Sequence, residues 1–314
     1  MKKWLTSLIT LLFFLLLLIC PQTALTGAKT GLLLWFQTVL PTLLPFMIVS
    51  NLMVQFGVTD ILSSIFYPIL GKLLKISKSG CYPLIIGLLS GYPVGAKACA
   101  DLVRQKKITC REGQFLLCFC NSASPMFIIS FVTASCLHRP AWGYLVLGIV
   151  VLSGILSGFV YRFTVGRNEE PLLCTAETIS SSQTSEIQTP FMVLDSTILN
   201  AFVILVKIGG YIILFSILAE ILSSITTLPS CIRYFLIGFL EITTGAAALS
   251  TAPMIFLKKI ILTNFLTAFG GLSSQAQTYS VLIHSGLSIR TYFIFKIVSG
   301  CFAALLTFLF ICVV

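Results

Sequence analysis

Residues 88–102 read LLSGYPVGAKACADL, which places glycines, a proline and a lysine inside an apolar stretch. In a plain membrane helix, Gly91, Pro93 and Gly95 would weaken the hydrogen-bonded backbone, and Lys97 would be an expensive charge. Basic residues flank the stretch on both sides: Lys72, Lys75 and Lys78 before it, and Arg104, Lys106, Lys107 and Arg111 after it. Because basic loops stay on the cytoplasmic side, residues 81–103 are predicted to form a re-entrant hairpin that enters and leaves by the same face.

The composition identifies the class of protein. The chain has 314 residues, of which 57% are hydrophobic and 10% are charged, whereas soluble domains contain about 25% charged residues. Apolar stretches of about 20 residues recur, the length that one helix needs to cross a bilayer. The net charge of +10 lies in short clusters between these stretches, so we expect a lipid bilayer and no nucleic acid as partner. A positive balance weakly favours an anionic solute.

Metal and catalytic centres are not expected. The eleven cysteines form no CxxC pair, and there are two histidines. Cys118 and Cys120 lack the partners of a zinc site and are interpreted as small core residues. The sequence has no GxSxG or HExxH motif. No metal, no cofactor and no enzymatic activity are therefore predicted.

The apolar stretches predict an all-α polytopic membrane protein. Residues 4–20, in an N-terminal unit 1–28, are either a span or a signal peptide with TGA at 26–28 as cleavage site, and the length of the run favours a span. A polar, Ser/Thr-rich and acidic stretch at 164–195 predicts a cytoplasmic linker between two membrane units. The predicted crossings are 31–56, 113–137 and 141–163 before the linker, and 196–224, 258–283 and 291–313 after it.

The two membrane units resemble each other. With a shift of 150 residues, Gly95 falls on Gly245 and Ser124 on Ser274, and the order of elements repeats. Each unit, 31–163 and 196–314, contains three crossings and one hairpin, the second hairpin being 232–252. An odd number of crossings inverts the second copy. Inverted repeats with interrupted segments near the midplane are typical of secondary transporters.

Four polar patches interrupt the apolar background and predict a binding site for a small anionic solute. The predicted substrate-binding residues are Ser90, Gly91, Tyr92, Gly95 and Lys97 in the first patch, Asn121, Ser122 and Ser124 in the second, Thr243, Thr244 and Gly245 in the third, and Ser273, Ser274, Gln275 and Gln277 in the fourth. Backbone N–H groups at helix starts attract anions. The alternative for Lys97 is that it extends to the cytoplasmic surface.

Two charged residues within predicted membrane segments are candidates for ion coupling. Glu241 and Lys207 are costly at membrane depth unless they are functional or paired. A role in proton or sodium coupling is one interpretation, and an ion pair between the two is the other.

The strings GLLSGYPVGAKACADL, FCNSASPMFI and FGGLSSQAQ resemble sporulation membrane proteins of the group with the nucleoside-recognition Gate domain, from about residue 30 to 314. The resemblance implies a fold similar to concentrative nucleoside transporters, although their acidic and polar hairpin motifs are not intact here. It also implies transport of dipicolinate from mother cell towards forespore across the outer forespore membrane. The alternatives are a proton- or sodium-coupled nucleoside or other small-solute permease, and a scaffold that recruits cortex or coat machinery through residues 164–195. An oligomer is compatible with the sequence.

Overall fold

The computed structural model describes residues 2–165, 190–225 and 227–313, where all regular secondary structure is helical. Before the predicted linker the helices are α1 Lys2–Ile19, α2 Pro21–Leu34, α3 Leu40–Gln55, α4 Val58–Leu74, α5 Cys81–Ser90, α6 Val94–Arg104, α7 Cys110–Cys120 and α8 Gly143–Thr164. Two π-helical segments, Trp35–Val39 and Phe127–Cys136, and a 3-10 turn, Pro140–Trp142, lie among them. After it come α9 Pro190–Ser223, α10 Ser230–Leu240, α11 Ile242–Thr251, α12 Phe256–Phe269, α13 Gly271–Leu282 and α14 Ile289–Val313.

Within the part of the chain that the structure describes, four helical stretches are long and apolar enough to cross a membrane: Pro21–Met53, Pro140–Thr164, Phe191–Ser223 and Ile289–Cys312. Shorter apolar helices accompany them at Thr10–Ile19, Cys81–Ser90, Phe127–Cys136 and Ser230–Leu240. Large apolar side chains such as Leu199 and Val206 of α9 point outwards, as they do where acyl chains replace water. The prediction of an all-helical, multi-pass integral membrane protein is confirmed.

Two of the predicted crossings are each divided into two helices. The stretch 113–137 breaks after Cys120, and 258–283 breaks at Gly270. At the first break, Pro125 has no backbone N–H to donate to a helical hydrogen bond. At the second break, Gly270 and Gly271 have φ angles of 90° and 77°, a region that glycine alone adopts readily. These breaks fall in the polar patches CNSASPMF and GGLSSQAQ.

Two predicted boundaries differ from the structure. The first helix ends at Ile19 and the next begins at Pro21, because proline suits the first position of a helix. The predicted unit 1–28 therefore contains a helix boundary. The helix that leads into the predicted crossing 31–56 begins earlier than predicted. Helix α9 begins at Pro190, so residues 190–195 of the predicted linker are helical. The linker residues 166–189 lie outside the described part of the chain.

Short helices pack in pairs, and glycines permit their close approach. Helices α5 and α6 pack against each other and against α7. A Cβ at Gly87 or Gly95 would overlap the carbonyl oxygen of Cys120. In the second pair, α10 and α11, a Cβ at Gly245 would overlap the backbone of Gly238. Glycines thus permit the first pair to approach the end of α7, and α10 to approach α11.

The residues that join the two helices of each pair, 91–93 in the first and Glu241 in the second, are called the tips. Both tips lie against the breaks. At the first tip, Tyr92 N donates to Ser122 O at 2.8 Å, and Gly91 lies against Ser124. At the second tip, Ile242 N lies next to Gly271. Helix α6 also packs on α13, and α11 on the π-helical segment Phe127–Cys136. Each half of the chain therefore contributes to the surroundings of both breaks.

We predict that Gly245→Ala destabilises the protein, because the added methyl group must displace the backbone of Gly238. The expected cost is about 1–3 kcal/mol, seen as a lower midpoint of thermal unfolding for the purified protein in detergent. Gly148→Ala is the matched control, since Gly148 is an exposed position within α8 and a Cβ there meets nothing within 4 Å. Equal unfolding midpoints for the two variants would contradict the proposed backbone contact.

Candidate functional site: a buried cavity between the tips and the breaks

A buried cavity lies where the two tips and the two breaks meet. Its polar lining comes from Ser90, Tyr92, Ser124, Glu241, Thr243, Ser273, Ser274 and Gln277. All eight are among the predicted site residues, and they come from all four polar patches. The structure therefore brings together side chains that lie up to 187 positions apart in sequence (277 − 90).

The rest of the cavity lining is apolar. It is formed by Val39, Leu43, Phe127, Ile208, Ile212 and Ile242. Four of these residues come from the region of α3 and from α9, which pack against each other. The cavity volume is about 30 Å³, enough for one or two water molecules and too small for an organic solute.

Glu241 places a carboxylate in the cavity. The residue is 1% exposed, and its Oε2 accepts a hydrogen bond from Thr244 N at 2.6 Å, so it caps the N-terminus of α11. The predicted alternative, an ion pair with Lys207, is not formed: Lys207 is exposed on α9. Among residues 2–165, 190–225 and 227–313, the ion pair is that of Arg104 with Asp101, and the cavity lining has no basic side chain.

Helix α13 supplies amide and hydroxyl groups to the cavity. Gln277 Nε2 donates to Ser273 Oγ at 3.3 Å, and Ser274 Oγ donates to Gly271 O at 3.0 Å. Gln277 Oε1 is buried and has no hydrogen-bond partner in the described part of the chain. Since an unpaired buried acceptor is costly, this oxygen is available to a donor group of a bound molecule. With Glu241, it makes the cavity rich in acceptors.

Asn121 is the centre of a hydrogen-bond network behind the cavity. It is fully buried, and its Nδ2 donates to Thr278 Oγ1 at 2.9 Å and to Tyr292 OH at 2.8 Å. Its Oδ1 accepts from Ala96 N at 3.2 Å, in the first turn of α6. One side chain therefore connects the first break to the first helix pair and to two helices of the second half.

Lys296 adds a buried cation to the same network. It is 1% exposed, and its Nζ donates to Asn121 O at 3.3 Å, a carbonyl that the break leaves outside the helical pattern. Tyr292 OH donates to the same oxygen at 3.3 Å. Lys296 and Tyr292 lie one turn apart on α14, so this helix closes the first break from the other half of the chain.

The other predicted site residues lie around the cavity and not in its lining. Lys97 is exposed on the outer side of α6, and Lys207 is exposed on α9. Gly91, Gly95 and Gly245 provide close backbone contacts. Four further predicted residues are buried behind the wall: Asn121, Ser122, Thr244, which shares a hydrogen bond of 2.7 Å with Ser216, and Gln275, whose Nε2 donates to Phe269 O at 3.1 Å.

Sequence reasoning missed Thr278, Tyr292 and Lys296, which complete the Asn121 network. A signal for one of them was present. Lys296 is a charge within the apolar run of α14, and a charge at membrane depth marks a functional or paired position. Thr278 and Tyr292 carry no such signal, because hydroxyl groups are common in membrane helices.

Comparisons with known proteins found two similarities in sequence. The Gate family model, described as nucleoside recognition, matches residues 36–140, which include the first helix pair and the first break. The sporulation integral membrane protein YlbJ of Bacillus subtilis (strain 168) is 29% identical over 92% of this chain and 78% of its own length. This chain is a homologue of YlbJ. It contains a nucleoside-recognition Gate domain, so the resemblance predicted from the sequence is confirmed. No solved structure is significantly similar to the chain.

We predict that Asn121→Leu lowers the free energy of unfolding by about 3 kcal/mol, because it leaves several buried polar groups without partners. The matched control is Asn264→Leu. Asn264 is equally buried, but its Nδ2 has one side-chain bond, to Thr307 Oγ1 at 2.8 Å, and its Oδ1 has no partner in the described residues. Unfolding midpoints of the purified variants would test this. Equal decreases of the midpoint in the two variants would contradict an extra contribution of the Asn121 network to stability.

Proposed function

We propose that this chain is a membrane transporter for a small solute and that the cavity is its transport site. The observation that supports this most is the convergence of two helix-pair tips and two broken helices on one buried polar cavity. Irregular backbone at membrane depth is tolerated where protein buries it or where it lines a cavity. In this proposal α5–α6 and α10–α11 are re-entrant hairpins that enter from opposite sides of the membrane.

The proposal includes two inverted repeats, residues 31–163 and 196–314, joined by the cytoplasmic linker. Corresponding contacts support it. Helix α5 packs on α6 and α7 as α10 packs on α11 and α12, and each second arm, α6 or α11, packs on the segment that follows the break in the other half. Gly95 and Gly245, which correspond in the sequence shift, both lie at the close approach of a helix pair.

As substrate we propose dipicolinic acid, carried from mother cell towards forespore across the outer forespore membrane during endospore formation. The similarity to a protein named for sporulation supports the setting. The ring of Tyr92, next to Gly270, offers a surface for a planar aromatic acid. The hydroxyl groups of Ser124 and Ser273 accept hydrogen bonds from Phe127 N and Gln277 Nε2 and can donate their own protons to its oxygens. The hydroxyl of Ser274 can do the same by turning away from Gly271 O.

The charge of the cavity sets a condition on this substrate. A carboxylate solute would meet Glu241 and no basic side chain in the lining, and two carboxylates at close range share a proton. The acid therefore binds together with at least one proton, and Glu241 is the proposed coupling residue. Lys207 lies outside the cavity and is not needed for this mechanism.

A nucleoside is the second candidate. The Gate match supports it, and so does the acceptor-rich, net acidic lining, because a nucleoside is uncharged and presents hydroxyl and amine donors. Competition separates the two candidates: unlabelled nucleosides would inhibit uptake of labelled dipicolinate only if both bind in the same cavity.

We predict saturable uptake of labelled dipicolinate by liposomes that contain the purified protein. Ser274→Ala should raise the KM about threefold to tenfold, since it removes one hydrogen bond to the solute. Ser280→Ala is the matched control, because Ser280 is exposed on the same helix and bonds within it. Absence of uptake by folded protein, under proton or sodium gradients, would refute the dipicolinate assignment.

We predict that an inward proton gradient stimulates this uptake and that Glu241→Gln removes the stimulation, because the amide cannot take up a proton. Glu220→Gln, the same change on α9 and outside the cavity lining, should keep the full response. Uptake should rise as the external pH falls. A response to sodium alone, or an unaltered proton response in Glu241→Gln, would contradict the assignment of Glu241.

A further inference from the structure

A basic groove lies away from the cavity, where α4 and α8 end and α7 begins. Lys75, Arg111 and Arg162 line two adjoining depressions there. The inner one has a volume of about 340 Å³ and also contains Glu112. The sequence places this region among the basic clusters predicted to face the cytoplasm. This groove is independent of the proposed transport site.

Arg162 is held in position by the protein. Its guanidinium donates to Leu74 O at 2.7 Å and lies over the ring of Phe115, with 5.2 Å between its central carbon and the ring centroid. The carboxylate of Glu112 accepts a hydrogen bond from a backbone group, Ser77 N, at 2.6 Å. In the described ranges, none of the three basic groups forms an ion pair with a carboxylate. The groove therefore has an unneutralised positive charge.

The second depression of the groove has apolar side chains next to the basic ones. Leu73, Phe159 and Phe163 line it beside the three basic residues, and Leu73 and Phe163 are 63% and 77% exposed. In a multi-pass membrane protein, such exposed side chains at a helix end meet acyl chains. The groove thus offers positive charge for a headgroup and, next to it, an apolar surface for a hydrocarbon chain.

We propose that this groove binds an anionic phospholipid. The phosphate lies between Lys75, Arg111 and Arg162, and an acyl chain extends along Leu73 and Phe163. Basic pockets between membrane helices on the cytoplasmic side recognise anionic headgroups in this way. A bound lipid would connect the ends of α4 and α8 to the start of α7, next to the first helix pair. A free anion shares the headgroup chemistry but does not need the apolar wall.

The test is native mass spectrometry of the full chain in detergent, titrated with phosphatidylglycerol or phosphatidylcholine. We expect selective binding of phosphatidylglycerol, about tenfold weaker in Lys75→Ala/Arg111→Ala. Arg162 is left intact because its bond to Leu74 supports the fold. Lys78→Ala/Lys107→Ala is the control, since it removes the same charge from exposed residues of the same region outside the groove.

Three outcomes would overturn the proposal. One is equal binding of the two lipids, and another is equal weakening in both double variants, which would indicate attraction by net charge alone. The third outcome would indicate a site for a free anion. In that case inorganic phosphate would raise the unfolding midpoint as much as phosphatidylglycerol does, and Phe163→Ala would leave lipid binding unchanged. Weaker lipid binding in Phe163→Ala, with an unaltered unfolding midpoint of the lipid-free protein, would support the apolar half of the site.

Discussion

Backbone groups that leave the helical pattern at membrane depth must find partners within the protein, because the surrounding hydrocarbon offers none. At the first break, Ser122 O accepts a hydrogen bond from Tyr92 N. Asn121 O accepts hydrogen bonds from Lys296 Nζ and Tyr292 OH. The side chain of Asn121 in turn accepts Ala96 N. The partners come from the first tip and from α6 and α14, so the hydrogen bonds of one interrupted helix fix the positions of several other elements. The interruptions thus organise the fold around them.

These hydrogen bonds require backbones to approach more closely than side chains usually permit. Gly87 and Gly95 place their Cα atoms against the carbonyl of Cys120, at the end of the helix that leads into the first break. In the second half, Gly245 lies against the backbone of Gly238, so the close approach is between α10 and α11 themselves. Small residues at helix contacts are the usual means of association in membranes, where burial of apolar surface supplies little. Here they also bring a tip to a break.

The sequence located the polar interruptions but did not orient every side chain. The predicted hairpin turn near Gly91 and the polar patches around Ser124, Glu241 and Gly270 coincide with helix ends, although residues 113–137 and 258–283 were predicted as single crossings. Lys97 shows a signal that the sequence contained and the site prediction did not use. Lys97, Asp101 and Arg104 stand at i, i+4 and i+7 on the polar face of α6, and Lys97 is exposed while its neighbours Ala96 and Ala98 are buried.

The polar and the apolar parts of the cavity lining differ in how they are connected to the rest of the fold. The polar wall is linked across both halves through Asn121, Thr278 and Tyr292. The apolar wall from α3 and α9 meets it through aliphatic side chains, with the bond between Ser216 and Thr244 crossing from α9 to α11. Moving the apolar wall away therefore costs dispersion contacts and about one hydrogen bond, whereas moving the polar wall would disrupt the network that holds the first break.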